Sequence, residues 1–148
     1  MGNIDLEGEI EKKINHVLRG VSEALEAYIR DKGLSIEDTK AILEKLEPSF
    51  KLLTKKWTLT IIYTLLLTGP LSFNKLHELT KVNKRSLSQR LKELEKNGLV
   101  RRQVRTQPPV TTVYFLTKTG RDTGLLIIPL IYYVARSSYE GGVDRASG

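Results

Sequence analysis

The segment that most constrains this chain runs from Asn83 to Arg105: Asn-Lys-Arg-Ser-Leu-Ser-Gln-Arg-Leu-Lys-Glu-Leu-Glu-Lys-Asn-Gly-Leu-Val-Arg-Arg-Gln-Val-Arg. Asn83 is a natural helix N-cap and Asn97-Gly98 a natural helix stop, so one helix is bounded at both ends. At 100° per residue, with Leu87 as the inward reference, Leu91 falls near 40° and Leu94 near −20°. These leucines make one buried stripe. Arg85, Gln89, Lys92 and Lys96 fall within about 40° of directly outward, and Ser88 lies at the edge. Beyond Gly98 the period becomes two: Val100, Arg102 and Val104 alternate with Arg101, Gln103 and Arg105, as in a strand.

The remaining elements follow from the same signals. Residues 4–31 read as one long helix whose apolar seam is Ile10, Ile14, Val17, Val21, Ala24 and Tyr28, widened by Leu18 and Leu25. Gly33 ends it. Ser35 followed by Asp38 caps a second helix, expected to run to about Glu47 and to break at Pro48. Phe50 to Thr68, with Trp57, Leu59, Ile61, Ile62, Tyr63 and Leu65 to Leu67, reads as a buried helix stopped by Gly69-Pro70. Ser72 caps a short helix carrying Phe73, Leu76 and Leu79, and Thr80 to Asn83 makes the turn into the basic helix. Two strands, Leu99 to Thr106 and Thr111 to Leu116, flank Gln107-Pro108-Pro109-Val110. Thr117 caps a last helix, roughly Thr119 to Ser138.

Helix, helix, helix, strand, strand with flanking helices is a winged helix-turn-helix: mainly α with a small β-hairpin. The expected organisation is an N-terminal helical extension over residues 1–48, the winged domain over 49–118, a C-terminal helix over 119–139 and a disordered tail over 140–148. The long N- and C-terminal helices are expected to form a dimer interface. The C-terminal run Leu125 to Val134 is apolar nearly all round and must be covered by something. It is interrupted by Pro129 and too short to span a membrane. A second copy of the chain is the economical cover. Folding back on its own domain is the alternative.

Charge is divided along the chain. Residues 1–48 hold 7 Lys/Arg against 11 Asp/Glu, and residues 81–121 hold 11 against 2. The overall formal charge of +7 therefore understates a local excess that suits a polyanion. The chain has no cysteine, so disulfides and thiol chemistry are excluded. Met1 to Lys13 is polar and acidic, without the apolar core of a signal peptide, and a cytoplasmic, nucleoid-associated protein is expected.

The outward face of the Asn83–Asn97 helix suits base reading. Arg pairs with guanine O6 and N7, Gln with adenine, and Ser with a base edge or phosphate. Recognition helices present their N-terminal residues to base edges, which selects Arg85, Ser88 and Gln89. Lys84 and Lys92 are expected on phosphates. Arg90 lies 60° from the buried direction and suits either DNA or an ion pair with Glu93 or Glu95. In the first strand the valines claim the core face, leaving Arg101 and Arg105 outward for a groove or phosphate, with Arg102 snorkelling or paired. Ser72, Asn74 and Lys75 open the preceding helix, where backbone amides suit phosphate. The plain alternatives are a solvated helix face, an edge hairpin kept soluble by charge, and a simple cap at Ser72.

Residues 54–128 resemble the HxlR family of transcription regulators, which is close to the MarR group. The resemblance rests on Lys56-Trp57-Thr58-Leu59, Gly69-Pro70-Leu71-Ser72-Phe73-Asn74-Lys75-Leu76, Leu87-Ser88-Gln89-Arg90-Leu91-Lys92-Glu93-Leu94, Asn97-Gly98-Leu99-Val100, and Pro108-Pro109 ahead of Val113-Tyr114-Phe115-Leu116-Thr117. It implies a dimeric DNA-binding regulator of small-molecule or stress responses. The chain departs from the family in lacking the cysteine that many members carry before the lysine-tryptophan pair, and in its long extension.

The expected partners are double-stranded DNA and a second copy, with a small-molecule effector left open. Trp57, Tyr63 and Tyr132 are candidates to line an effector pocket, or plain core. No catalytic, metal or cofactor site is expected: His77-Glu78 lacks a second histidine at i+4, and no nucleophile stands beside a base. The reading is a sequence-specific repressor. An architectural DNA-coating protein and a winged-helix protein-interaction module are the competing functions.

Overall fold

The computed structural model describes residues 6–144, with side chains described from 8 to 137. Six helices and three short strands follow one another: α1 (Leu6–Lys32), α2 (Ile36–Thr54), α3 (Thr58–Thr68), β1 (Leu71–Ser72), α4 (Phe73–Thr80), α5 (Lys84–Lys96), β2 (Val100–Arg105), β3 (Thr111–Leu116) and α6 (Lys118–Asp144). They divide into two units. One holds α1, the start of α2 and the part of α6 from Leu126 on; the other, Leu46–Leu125, holds the winged helix.

In the first unit, α1 ends where Gly33 enters the left-handed region at φ +67. Ser35 and Asp38 form a reciprocal capping box. Ser35 Oγ accepts from the Asp38 amide at 3.0 Å, and Asp38 Oδ2 accepts from the Ser35 amide at 3.1 Å. The Ser35 hydroxyl and amide hold the Asp38 carboxyl below its usual range. Pro48 does not end α2 as expected, because the helix runs through it to Thr54. A proline removes only its own N–H, and both Pro48 and Glu44, whose carbonyl loses its donor, are exposed to solvent. The 48/49 boundary therefore falls inside a helix. At the other end α6 continues to Asp144, so residues 140–144, expected as tail, are helical; 145–148 lie outside the described residues.

The expected single helix over Phe50–Thr68 is two. α2 stops at Thr54 and α3 starts at Thr58, with Trp57 between them at φ 75. Of the two, α3 is the core helix: its Thr58, Ile61, Ile62 and Leu65 are buried, although Leu67 at its outer side is exposed, whereas α2 has no buried residue. These residues pack with Leu76, Val82, Leu87, Leu91, Leu94, Leu99 and Val100, and Trp57 lies against the same cluster. Burial of this many branched side chains, at about 25 cal/mol per Å² of apolar surface, is the main force holding the winged helix together.

The sheet has three strands, in the order β1-β3-β2, all antiparallel. The hairpin was legible. The added strand β1 pairs Leu71 with Tyr114 and Ser72 with Val113. β2 runs beside β3 from Val100–Leu116 to Arg105–Thr111. Toward the hairpin tip, at Thr111 and Thr112, β3 therefore has β2 as its only neighbour, and the distal hairpin is exposed. Thr117 closes the sheet onto α6. Its amide donates to the Leu99 carbonyl at 3.0 Å, and its hydroxyl donates to the Gly98 carbonyl at 2.6 Å while accepting from the Gly120 amide at 3.0 Å.

Among the described residues no helix is long and apolar enough to cross a membrane.

Candidate nucleic-acid interface

The helix-turn-helix is α4, a turn and α5. Ser72 caps α4 by accepting from the Lys75 amide at 3.2 Å, and Asn83 caps α5 by accepting from the Ser86 amide at 2.9 Å. Three features set the angle between the helices. Lys81 ends α4 in the left-handed region at φ 60. Val82 is fully buried beneath the turn. The Val82 carbonyl lies 2.7 Å from His77 Nδ1, which fixes the tautomer with the proton on Nδ1, since a carbonyl only accepts. His77 is thus a structural histidine. Among the described residues no group of three His, Cys, Asp or Glu is placed to hold a metal ion.

α5 lies on the core as its leucine stripe requires: Leu87, Leu91 and Leu94 are at most 1% exposed. Lys84, Arg85, Gln89 and Lys92 are all exposed, and Ser88 is half-buried at the edge of that face. The helix therefore offers one guanidinium, one carboxamide, one hydroxyl and two ammonium groups on a rigid support. Arg90 is excluded from this set. Its Nε donates to the Lys56 carbonyl at 3.2 Å, and its Nη1 donates to Glu93 Oε2 at 2.6 Å. Glu93 also pairs with Lys55, and the Lys55 ammonium, aided by Arg90, holds the Glu93 carboxyl below its usual range despite partial desolvation. This network ties α5 to the α2–α3 joint. The i,i+3 pair of Arg90 and Glu93 was readable from sequence; Lys55, 38 residues away, was not.

The wing differs from expectation on one point. Only Val100 of β2 is buried; Val104 is 46% exposed, so the valines do not define a core face along the strand. The cause is the unsupported distal hairpin described above. Arg101, Arg102 and Arg105 are all exposed, on both faces of the strand, and none makes an ion pair among the described residues. Arg102, expected to snorkel or pair, joins the other two as a solvent-facing cation. At the start of α4, Asn74 and Lys75 are exposed and Ser72 is half-buried. The Lys75 ammonium turns toward Glu78 at 3.3 Å, and the Lys75 amide is taken by Ser72. That terminus is therefore less available to phosphate than its sequence promised. Of the aromatic residues considered for an effector pocket, Trp57 packs on the core and Tyr63 is half-buried in α3. Lys56 stacks over the Trp57 ring at 4.7 Å from its centroid.

The HxlR-like helix-turn-helix family matches residues 52–139. The chain belongs to that family. The HTH-type transcriptional regulator YodB of Bacillus subtilis (strain 168) is 42% identical over 77 residues, covering 51% of this chain and 68% of YodB. The solved reduced form of YodB superposes with a TM-score of 0.54 at 34% identity, over 60% of this chain and 87% of that one. Its quinone-bound form gives 0.53 at 33% identity, over 62% and 96%. The chain is thus a helix-turn-helix transcription regulator of the HxlR type, with a winged helix. α1 and most of α2 precede the matched region.

Proposed function

We propose that this HxlR-type regulator is a homodimeric repressor that reads specific double-stranded DNA. One observation carries the reading: α5 is pinned by three buried leucines while Arg85 and Gln89 face outward, with Ser88 at the edge of that face, beside a wing whose three arginines make no ion pair among the described residues. Arg85, Ser88 and Gln89 read base edges in the major groove; Lys84 and Lys92 hold the flanking phosphates. Arg101 and Arg105 anchor the wing on the backbone or in the minor groove. Ser72, Asn74 and Lys75 add contacts at the start of α4, where the Asn74 side chain is the freest donor. Two such faces, in a dimer built on the flanking helices, would read half-sites about 34–36 Å apart. Occupation of a promoter in the cytoplasm then excludes polymerase. The quinone-bound form of YodB supports a small-molecule effector for this chain too, held without a thiol bond since there is no cysteine.

Selection of genomic fragments by the purified protein at physiological salt tests this reading. A few sharp peaks sharing an inverted repeat are expected. Even recovery across the genome would indicate an architectural protein instead, and no recovery would leave only a protein-interaction module.

A further inference from the structure

We propose that Lys81, in the turn between α4 and α5, is a further phosphate contact, its ammonium gripping the DNA backbone beside the bases that α5 reads. This role deepens the DNA reading above and rests on it. Residue type and backbone are in conflict at this position. Lys81 ends α4 at φ 60, in the left-handed region, where a Cβ is crowded by a backbone carbonyl and glycine is the natural residue. Gly33, Gly69 and Gly98 take positive φ elsewhere in the chain. Trp57 also takes it without being glycine, but its ring packs on the core, which offsets the strain. Lys81 has no such compensation. It is exposed, and its ammonium makes no ion pair among the described residues. Glu78, one turn earlier on α4, turns to Lys75 at 3.3 Å. A cation at the C-terminal end of a helix does favour the helix dipole. For an exposed side chain on a helix of eight residues that gain is smaller than the left-handed cost. A side chain held in an unfavourable backbone conformation, with no partner in the folded chain, points to a partner outside it.

Position and charge name that partner. From Leu79 to Lys92 the chain carries Lys81, Lys84, Arg85, Arg90 and Lys92 and no carboxylate. Arg90 is turned onto Lys56 and Glu93. Lys81, Lys84 and Arg85 are therefore the exposed cations at the N-terminal end of α5. Val82, fully buried, and Asn83, which caps α5 at Ser86, tie the turn to that end. Three residues of chain span at most about 11 Å, so Lys81 Cα lies no farther than that from Lys84 Cα. The N-terminal end of a recognition helix enters the major groove, whose edges are lined by phosphates. A compact ammonium on a four-carbon stem, set one turn outside the helix start, meets a phosphate rather than a base edge. Such a contact adds affinity and is blind to sequence.

Two substitutions in the full chain separate charge from backbone. Lys81→Gly removes the cation and the left-handed conflict together, whereas Lys81→Arg keeps both. Fluorescence anisotropy on a labelled mixed-sequence duplex and on a selected operator, between about 50 and 200 mM salt, reads affinity and salt slope. Lys81→Gly should flatten the slope by about one unit and bind about five-fold more weakly at about 0.15 M salt, equally on both duplexes. Its urea denaturation midpoint should lie at or above the parent's, since glycine is the favoured residue at this φ. Lys81→Arg should match the parent in slope and affinity. A lower midpoint for Lys81→Gly with an unchanged slope would show that the lysine serves only the α4 dipole, and would overturn the inference. A loss confined to the operator would make Lys81 a base reader and would also overturn it. If Arg101→Ala flattens the slope and Lys81→Gly does not, the inference fails while the DNA reading stands. A parent that binds neither duplex would overturn both.

Discussion

Gly120→Ala is expected to destabilise the winged helix far more than a single methyl group ordinarily does. A Cβ built on Gly120 lies 1.9 Å from the Leu99 carbonyl oxygen, 2.9 Å from its carbon and 3.2 Å from Leu99 Cα. All three are backbone atoms, so no side chain can rotate away. Relief requires α6 and the start of β2 to separate by about 1 Å. That movement strains the two bonds that cross the gap, from the Thr117 amide to the Leu99 carbonyl and from the Thr117 hydroxyl to the Gly98 carbonyl. Overpacking alone costs about 1–3 kcal/mol, and each weakened hydrogen bond adds about 1 kcal/mol. The expected loss is roughly 3–5 kcal/mol, or on the order of 10 °C in Tm for a chain of this size. Two controls calibrate it. At Gly124 the new Cβ meets side-chain atoms rather than backbone, Leu66 Cδ2 at 3.1 Å, Ile62 Cγ2 at 3.2 Å and Leu66 Cβ at 3.8 Å, which need give only a few tenths of an ångström, so Gly124→Ala should stay within about 1 kcal/mol of the parent. At Gly20 nothing lies within 4 Å, so Gly20→Ala should stabilise α1 by about 0.5–1 kcal/mol. Urea denaturation with unchanged m-values reads all three. A Gly120→Ala protein within 1 kcal/mol of the parent would refute the close seating of α6 on Leu99.

Three further outcomes follow from the site. Glu93, held below the usual carboxylate range chiefly by Lys55, contributes stability above its unfolded pKa and loses it as pH falls through the lower folded value. Glu93→Gln should therefore be the less stable protein at neutral pH, with the gap closing below about pH 4; a constant gap in denaturation from pH 7 to pH 3 would show that charge is not its basis. Asn83→Ala should cost about 1 kcal/mol by removing the α5 cap at Ser86, measured by denaturation. Arg101→Ala or Arg105→Ala should weaken all DNA sequences alike and flatten the salt dependence of binding by about one unit each, and a selective loss on one sequence would contradict the phosphate role.

What was legible in the sequence is what local chemistry decides. Asn83, Ser72, Ser35 with Asp38, and Gly98 carry their own hydrogen bonding or backbone freedom, and each sits where its residue type requires. The leucine stripe of α5 fixed which face looks outward, and with it Arg85 and Gln89. What was not legible depends on distant partners. Nothing local marks the break at Lys55–Trp57, where no glycine or proline stands, and Trp57 takes a left-handed conformation with its ring packed on the core. Pro48 looked like a helix end because its cost is local, whereas Leu52, beyond it on the same helix, packs against the distant core. β1 is two residues long, too short for any periodicity, and exists because β3 offers it a free edge. Val104 alternates correctly for a strand, yet period alone does not say where the core ends.

In the proposed function α5 reads sequence while the wing supplies grip. Competition between a selected operator and random duplex, for the parent and for Arg85→Ala, Gln89→Ala and Arg101→Ala, tests it most directly. Arg85→Ala and Gln89→Ala should each lose about 1–3 kcal/mol on the operator and little on random DNA, relaxing specificity at one base pair per half-site. Arg101→Ala should lower both affinities in parallel. If Arg85→Ala and Gln89→Ala leave affinity and preference unchanged, α5 is not the reader and the account is wrong.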